Sequence, residues 1–194
     1  MRIGLFGAAS TGKTSTAKLL AERLGMEFQP SIVRGVMEKE GLTEISEAML
    51  EPTKRFSLQY KIMDAKSIQD QAYPHAIFDR TPIDHAAYLF LKCHEIIPDD
   101  HTDAVLGMVK RRIKNWYDIL FYFPVFEEMP YKADEFRRTG RAYQYLQDAT
   151  MKYIAGKVVP KIKVHRIEMG TENERAAVME AIVRNIVKAK GLVI

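Results

Sequence analysis

The chain carries a single cysteine, Cys93, so no internal disulfide can form; a reducing interior suits this. It has no apolar run near the roughly 18 residues that a membrane helix needs. Its amino terminus offers one arginine and then a strand-like run into Gly7, which is not the pattern of a secretory signal. These absences predict an intracellular, cytoplasmic protein with no membrane partner. The histidines His75, His85, His94, His101 and His165 are scattered with no i,i+4 pair, which argues against a zinc site. Internal repeats, low-complexity tracts and linkers are missing, and 194 residues predict one domain, 1–194, with a sizeable core. Acidic residues fall slightly short of basic ones, 25 against 29, a net charge of +4. An ordinary soluble surface accounts for that excess, which only mildly suits an anionic partner such as a nucleotide or nucleic acid. Nothing in the sequence fixes the oligomeric state; a dimer is compatible with it.

Apolar, strand-like segments alternate with helical patterns. Arg2–Phe6, Met26–Val33, Ala76–Phe78 ending in Asp79, Asp118–Phe123 stopped by Pro124, and Lys163–Glu168 read as strands. Between them, Thr14–Leu24 places Ala17, Leu20 and Leu24 on one face before Gly25. Thr53–Ala72 repeats Phe56, Tyr60 and Met63 at helical spacing, with Pro52 at its start. Ile83–Leu91, Asp103–Lys114 and Glu135–Lys157 are further helices. Thr171 and Glu174 form a capping box for a last helix with Met179, Ile182, Val183 and Ile186 inward. The alternation predicts an α/β protein: a parallel sheet covered by helices on both faces, in three layers. The polar stretch 127–141 breaks the alternation and reads as a small lid inserted over the site.

Residues 7–14, GAASTGKT, match G-x-x-x-x-G-K-[ST] between a strand and a helix. Phosphate oxygens need many donors in a concave array. Glycine lets the backbone curl until successive N–H groups converge, and the following helix adds its N-terminal dipole. The expected nucleotide-binding residues are Gly7, Ala8, Ala9, Ser10, Thr11, Gly12, Lys13, Thr14 and Ser15, with ATP as the nucleotide. Lys13 reaches the β- and γ-phosphates, and Thr14 offers its hydroxyl to Mg²⁺. A plain glycine-rich turn explains neither Lys13 nor the hydroxyl after it, so the motif and the alternation together predict the three-layer P-loop NTPase fold.

A second constellation, FDRTPIDHAAY, begins where strand AIF ends, at residues 78–88. In an open parallel sheet, ligands gather at the carboxyl ends of the strands. Asp79 is placed to accept a proton from an attacking hydroxyl or to hold Mg²⁺ through water, and Arg80 to neutralise phosphate charge. Asp84 and Tyr88 either reach the substrate or serve the helix, Asp84 as its early-turn acid and Tyr88 by packing.

Asp79-Arg80, then six residues, then Ala87-Tyr88 resembles the corresponding segment of thymidylate kinases and related nucleoside and nucleotide kinases. The wider chain is similar to small, AAA-like ATP-binding proteins of the ribosylnicotinamide-kinase type, in its phosphate loop, Arg34, FDRTP, the YDILFYFP strand and a basic helix. The resemblance implies that Asp79 serves catalysis or Mg²⁺ and that Arg80 contacts the acceptor, joined by Arg34. Two departures point away from the standard acceptor of either group. Ala9 stands where thymidylate kinases carry an acid, and Ser31 where the other type carries a glutamate three residues before its arginine. Viral kinases similar to thymidylate kinase phosphorylate 5-hydroxymethyluracil already within DNA. That group supplies a further candidate acceptor, with the host cytoplasm as its setting.

In the lid, Arg137, Arg138 and Arg141 cluster around Gly140 and are expected to stabilise the transferring phosphoryl group; alternatively they pair with Asp134 and Glu135 on a solvated helix. Tyr143 and Tyr145 are candidates for stacking on a base or for packing. Trp116 and Tyr117 read as core or edge. The segment 170–175 follows the last strand, where such kinases flank the adenine. The sequence therefore predicts an ATP- and Mg²⁺-dependent kinase for a nucleoside-like small molecule or modified DNA. The competing reading is an NTP-driven switch, which normally needs an acidic pair after a strand; AIF ends in Asp-Arg, and FYF in Pro-Val.

Overall fold

Strands buried on both faces need apolar residues at successive positions, and FYF and AIF supply them. In a computed structural model, which describes residues 1–43, 47, 49–128, 140–160 and 163–191, these runs build a five-stranded parallel sheet. Strands β1 (Arg2–Gly7), β2 (Glu27–Gln29), β3 (Ala76–Asp79), β4 (Ile119–Phe123) and β5 (Val164–Arg166) lie in the order β2-β3-β1-β4-β5. The first strand is thus central, pairing Leu5 with Asp79 on one side and with Phe121 on the other.

The period of two sorts the strand side chains into two cores. Ile3, Leu5, Ile77, Ile119, Phe121 and Phe123 pack under helices α1 (Lys13–Leu24) and α7 (Glu172–Lys190). On the other face, Phe6, Phe78, Leu120 and Tyr122 pack under α3 (Pro52–Ala72), α4 (Pro82–Cys93), α5 (Asp99–Trp116) and α6 (Arg141–Val158). This is the α/β architecture, a parallel sheet between two helical layers, that the alternation predicts. Cys93 is buried at the end of α4. Among the described residues no helix is long and apolar enough to cross a membrane.

The second strand is shorter than the reading of Met26–Val33: it stops at Gln29. Pro30 has no N–H to donate to the ladder, and the chain turns into α2 (Val33–Lys39). That helix went unread, although Val33, Val36 and Met37 repeat at helical spacing; they pack against Leu58 and Ile62 of α3. The helix expected from Glu135 is described from Arg141 onward. Residues 129–139, most of the expected lid, lie outside the described residues.

A buried polar knot ties α3 to the sheet. Lys66 Nζ lies 2.9 Å from Asp70 Oδ1 and 4.3 Å from the centre of the Phe78 ring, and the Tyr117 hydroxyl donates to the same Asp70 oxygen at 2.7 Å. Burial pushes the lysine's pKa down and the aspartate's up, and their contact opposes both shifts. The knot also requires Gly4, because a Cβ there would lie 2.6 Å from the Tyr117 ring. Tyr117 is therefore core.

Candidate active site at the phosphate loop

The loop after β1 is curled by three residues in left-handed backbone conformations. Gly7 has φ 146°, and a Cβ on it would stand 2.2 Å from the Phe123 carbonyl oxygen; only glycine lets β1 and β4 approach here. Ser10 (φ 59°) and Gly12 (φ 80°) complete the turn. Gly12 caps α1, so the helix N-terminus opens onto the loop. Lys13 lies back over the curl, its ammonium donating to the Ala8 carbonyl at 2.5 Å and to Thr11 Oγ1 at 3.2 Å. The Thr11 hydroxyl also donates to the Ala8 carbonyl, at 3.0 Å. The Ser15 hydroxyl donates to the Gly12 carbonyl at 3.3 Å, serving the first helical turn.

Asp79 ends β3 beside this curl, almost fully buried, and Thr14 Oγ1 donates to its Oδ2 at 2.6 Å. The pairing of β1 with β3 produces the contact, since Leu5 in register with Asp79 brings both strand ends to one level. One hydroxyl and one carboxylate are hard oxygen donors. They fit Mg²⁺, which takes few protein ligands and keeps water and phosphate for the rest. Arg80 follows with φ 82°, a conformation that costs a non-glycine residue about 1–3 kcal/mol and that clusters at functional sites. Its N–H donates to the Leu5 carbonyl at 3.0 Å, and its guanidinium lies 4.9 Å from the Tyr88 ring centre. Lys92 approaches the same ring at 5.3 Å and, with Gln59, donates to the buried Glu47 carboxylate. A buried polar wall thus runs from Asp79 along α4.

Asp84 serves the frame. Its Oδ2 accepts from the Thr81 N–H at 2.7 Å and the Thr81 hydroxyl at 3.0 Å, and its Oδ1 accepts from the Gly7 N–H at 3.2 Å. Of the two roles read for it, the geometry favours capping over substrate contact. Burial pushes its carboxyl pKa up, opposed by Lys13, Arg80 and the two backbone donors. Asp84→Ala would leave the Gly7 and Thr81 N–H groups buried and unpaired. We expect a loss of about 2–4 kcal/mol in urea denaturation, and a smaller one for Asp84→Asn, which keeps an acceptor oxygen.

The structure brings Lys13, Thr14, Asp79 and Arg80 together around the loop, with Tyr88 stacked on Arg80. Arg34 is exposed on α2. Arg141 opens α6, donating to the Glu127 carbonyl and, at 3.4 Å, to Gln144 Oε1; it lies over the half-exposed Tyr145 ring. Arg137 and Arg138 fall outside the described residues. In 170–175, Thr171 and Glu174 form the expected capping box.

Three residues at the loop went unread. Arg175 Nη1 donates to the Thr11 carbonyl at 2.9 Å, and a Cβ on Gly12 would meet its guanidinium at 2.4 Å. Gln147 Oε1 accepts from the Ala9 N–H at 3.0 Å, and Gln144 Nε2 donates to the Ala9 carbonyl at 2.7 Å. The available signal was two glutamines on the apolar stripe that α6 continues with Met151, Ile154 and Val158.

A family model described as an AAA domain (AAA_28) matches residues 2–175. No curated protein matches the chain in sequence. Several solved structures share its fold. Deoxyadenosine kinase from M. mycoides with products dCMP and a flexible dCDP bound is similar at TM-score 0.71 and 16% identity, over 96% of this chain and 100% of that one. Shikimate kinase from Aquifex aeolicus gives 0.60 at 14% identity, over 97% and 98%. NadR in complex with NR gives 0.63 at 16% identity, over 95% of this chain and 50% of that one. Likeness at these identities speaks for the fold, that of P-loop nucleoside and nucleotide kinases.

Proposed function

The chain belongs to this AAA-domain family, and from that premise we propose that it is an ATP-dependent phosphotransferase moving the γ-phosphate to a hydroxyl of a nucleoside- or nucleotide-like acceptor. The observation that carries the reading is the 2.6 Å hydrogen bond to Asp79 from Thr14, the residue after Lys13. It sets a carboxylate at the loop, as Mg²⁺-binding P-loop proteins of either kind require; transfer is favoured over a switch because AIF runs into Asp79-Arg80 and FYF into Pro124-Val125, neither with the acidic pair that polarises water.

The residues take these roles. Lys13 and backbone N–H groups of the loop hold the phosphates, those of Gly7 and Ala9 being taken by Asp84 and Gln147; Thr14 and Asp79 would hold Mg²⁺. The ion, when bound, supplies positive charge against the phosphate oxygens. Asp79 also faces the acceptor side, where it orients or takes the hydroxyl proton. Arg80, fixed against Tyr88, and Arg141, with Arg137 and Arg138, stabilise the charge on the transferring group. The acceptor lies along the wall formed by Arg80, Tyr88 and the neighbouring α3, with Arg34 at its mouth. The reading carries an intracellular setting and no membrane partner. The dCMP and dCDP bound to the similar deoxyadenosine kinase support the acceptor class. The departures at Ala9 and Ser31 support a non-standard member of that class, and the finer version of the proposal takes 5-hydroxymethyluracil in DNA as acceptor.

The test is incubation with labelled ATP, Mg²⁺ and a panel of free nucleosides, mononucleotides and duplex DNA containing 5-hydroxymethyluracil. Label entering one small-molecule class supports the proposal and removes the DNA version; label entering the duplex supports that version. ATP consumed at full rate with no acceptor, and no labelled product from any, would replace the kinase reading with the switch.

A further inference from the structure

The inward stripe of α6 contains two fully buried glutamines where its following turns place Met151, Ile154 and Val158. Both are spent on one residue. The N–H of Ala9 goes to Gln147 Oε1, and its carbonyl receives Gln144 Nε2. Because a backbone N–H must meet an oxygen, the Ala9 contact sets the orientation of the Gln147 amide and leaves Nε2 as the group still to be satisfied. That nitrogen is buried and has no hydrogen-bond partner among the described residues. A buried donor left unmade is costly, and such groups in a native fold call for an explanation.

Its surroundings supply one. The Lys13 ammonium lies against the carbonyl of Ala8, the residue before Ala9. In a phosphate loop this lysine serves the β- and γ-phosphates. Gln147 therefore approaches, from α6, the same stretch of loop that Lys13 covers from α1. Gln144 meanwhile holds the Ala9 carbonyl, whose partial negative charge would repel an anion, in a bond of its own.

We propose that Gln147 is a phosphate-binding residue whose amide nitrogen donates to an oxygen of the terminal phosphoryl group of ATP. This rests on the nucleotide-binding reading of the loop and adds a ligand that no motif contains. It also gives the site a means of telling ATP from ADP.

The experiment measures ATP and ADP binding to the full chain by calorimetry in Mg²⁺, for the native protein, Gln147→Glu and Gln147→Met. Glutamate replaces the donor with an acceptor of the same shape; methionine fills the same volume without one. Both variants are expected to lose about 10- to 100-fold in ATP affinity while ADP affinity moves by less than ~3-fold. If the glutamate variant does not give a native circular dichroism spectrum, the methionine variant decides. Equal losses for ATP and ADP would mean that Gln147 only shapes the loop; unchanged ATP affinity would mean that the amide touches no phosphate. Either result overturns the inference and leaves the nucleotide reading standing. Failure of the native protein to bind either nucleotide would instead overturn that reading, and the inference with it.

Discussion

Lys13→Ala is expected to cut phosphate transfer by about 10²- to 10³-fold, the usual loss when one donor to a developing oxyanion is removed. The fold should survive. The Ala8 carbonyl that Lys13 contacts keeps the Thr11 hydroxyl as a second donor, at 3.0 Å. The substitution also adds no side chain to the curl. Initial rates with labelled ATP and circular dichroism melts, run on the same preparation, separate the two outcomes. A variant that melts normally and transfers at the native rate would remove Lys13 from the chemistry.

Asp79→Asn should be as severe, and its pattern should tell which of two roles the carboxylate has. The amide is isosteric and its oxygen can still accept from Thr14 Oγ1, which donates to Asp79 at 2.6 Å; packing is preserved while the charge is lost. If Asp79 holds the metal, the variant should need far more Mg²⁺ to reach its maximal rate. If it handles the acceptor's proton, the Mg²⁺ requirement should stay put and kcat alone should drop, by about 10²- to 10⁴-fold. A rate titrated against Mg²⁺ at saturating ATP reads both. Native kinetics in every respect would leave the site without its acid, and the kinase proposal without its carrying observation.

What could be read in the chain followed the distance over which residues act. The strand–loop–helix of residues 2–24 was legible because glycine spacing, lysine and hydroxyl obey one local geometry. The sheet was legible because FYF and AIF are apolar at every position. The helix Val33–Lys39 was missed because it is short and Pro30 blurs the preceding strand. Asp84 left two roles open in the sequence, and only its bond to the Gly7 N–H, made across 77 positions, separates them. Arg175, Gln144 and Gln147 were illegible for the same reason: they reach the loop across 164, 135 and 138 positions. A motif names the residues that bend the backbone, whereas the side chains that hold it bent arrive from elsewhere.

The central place of β1 has a consequence for how the molecule comes into being. Its hydrogen-bonding neighbours are Ala76–Asp79 and Ile119–Phe123, and the carbonyl of Thr11 waits for Arg175. Within this sequence the loop after β1 precedes every element that completes it. Long-range pairings of this kind slow folding and lengthen the time for which apolar strands stand unprotected. Removing the helix that carries Arg175 should therefore damage a loop that stands 164 positions earlier in the sequence.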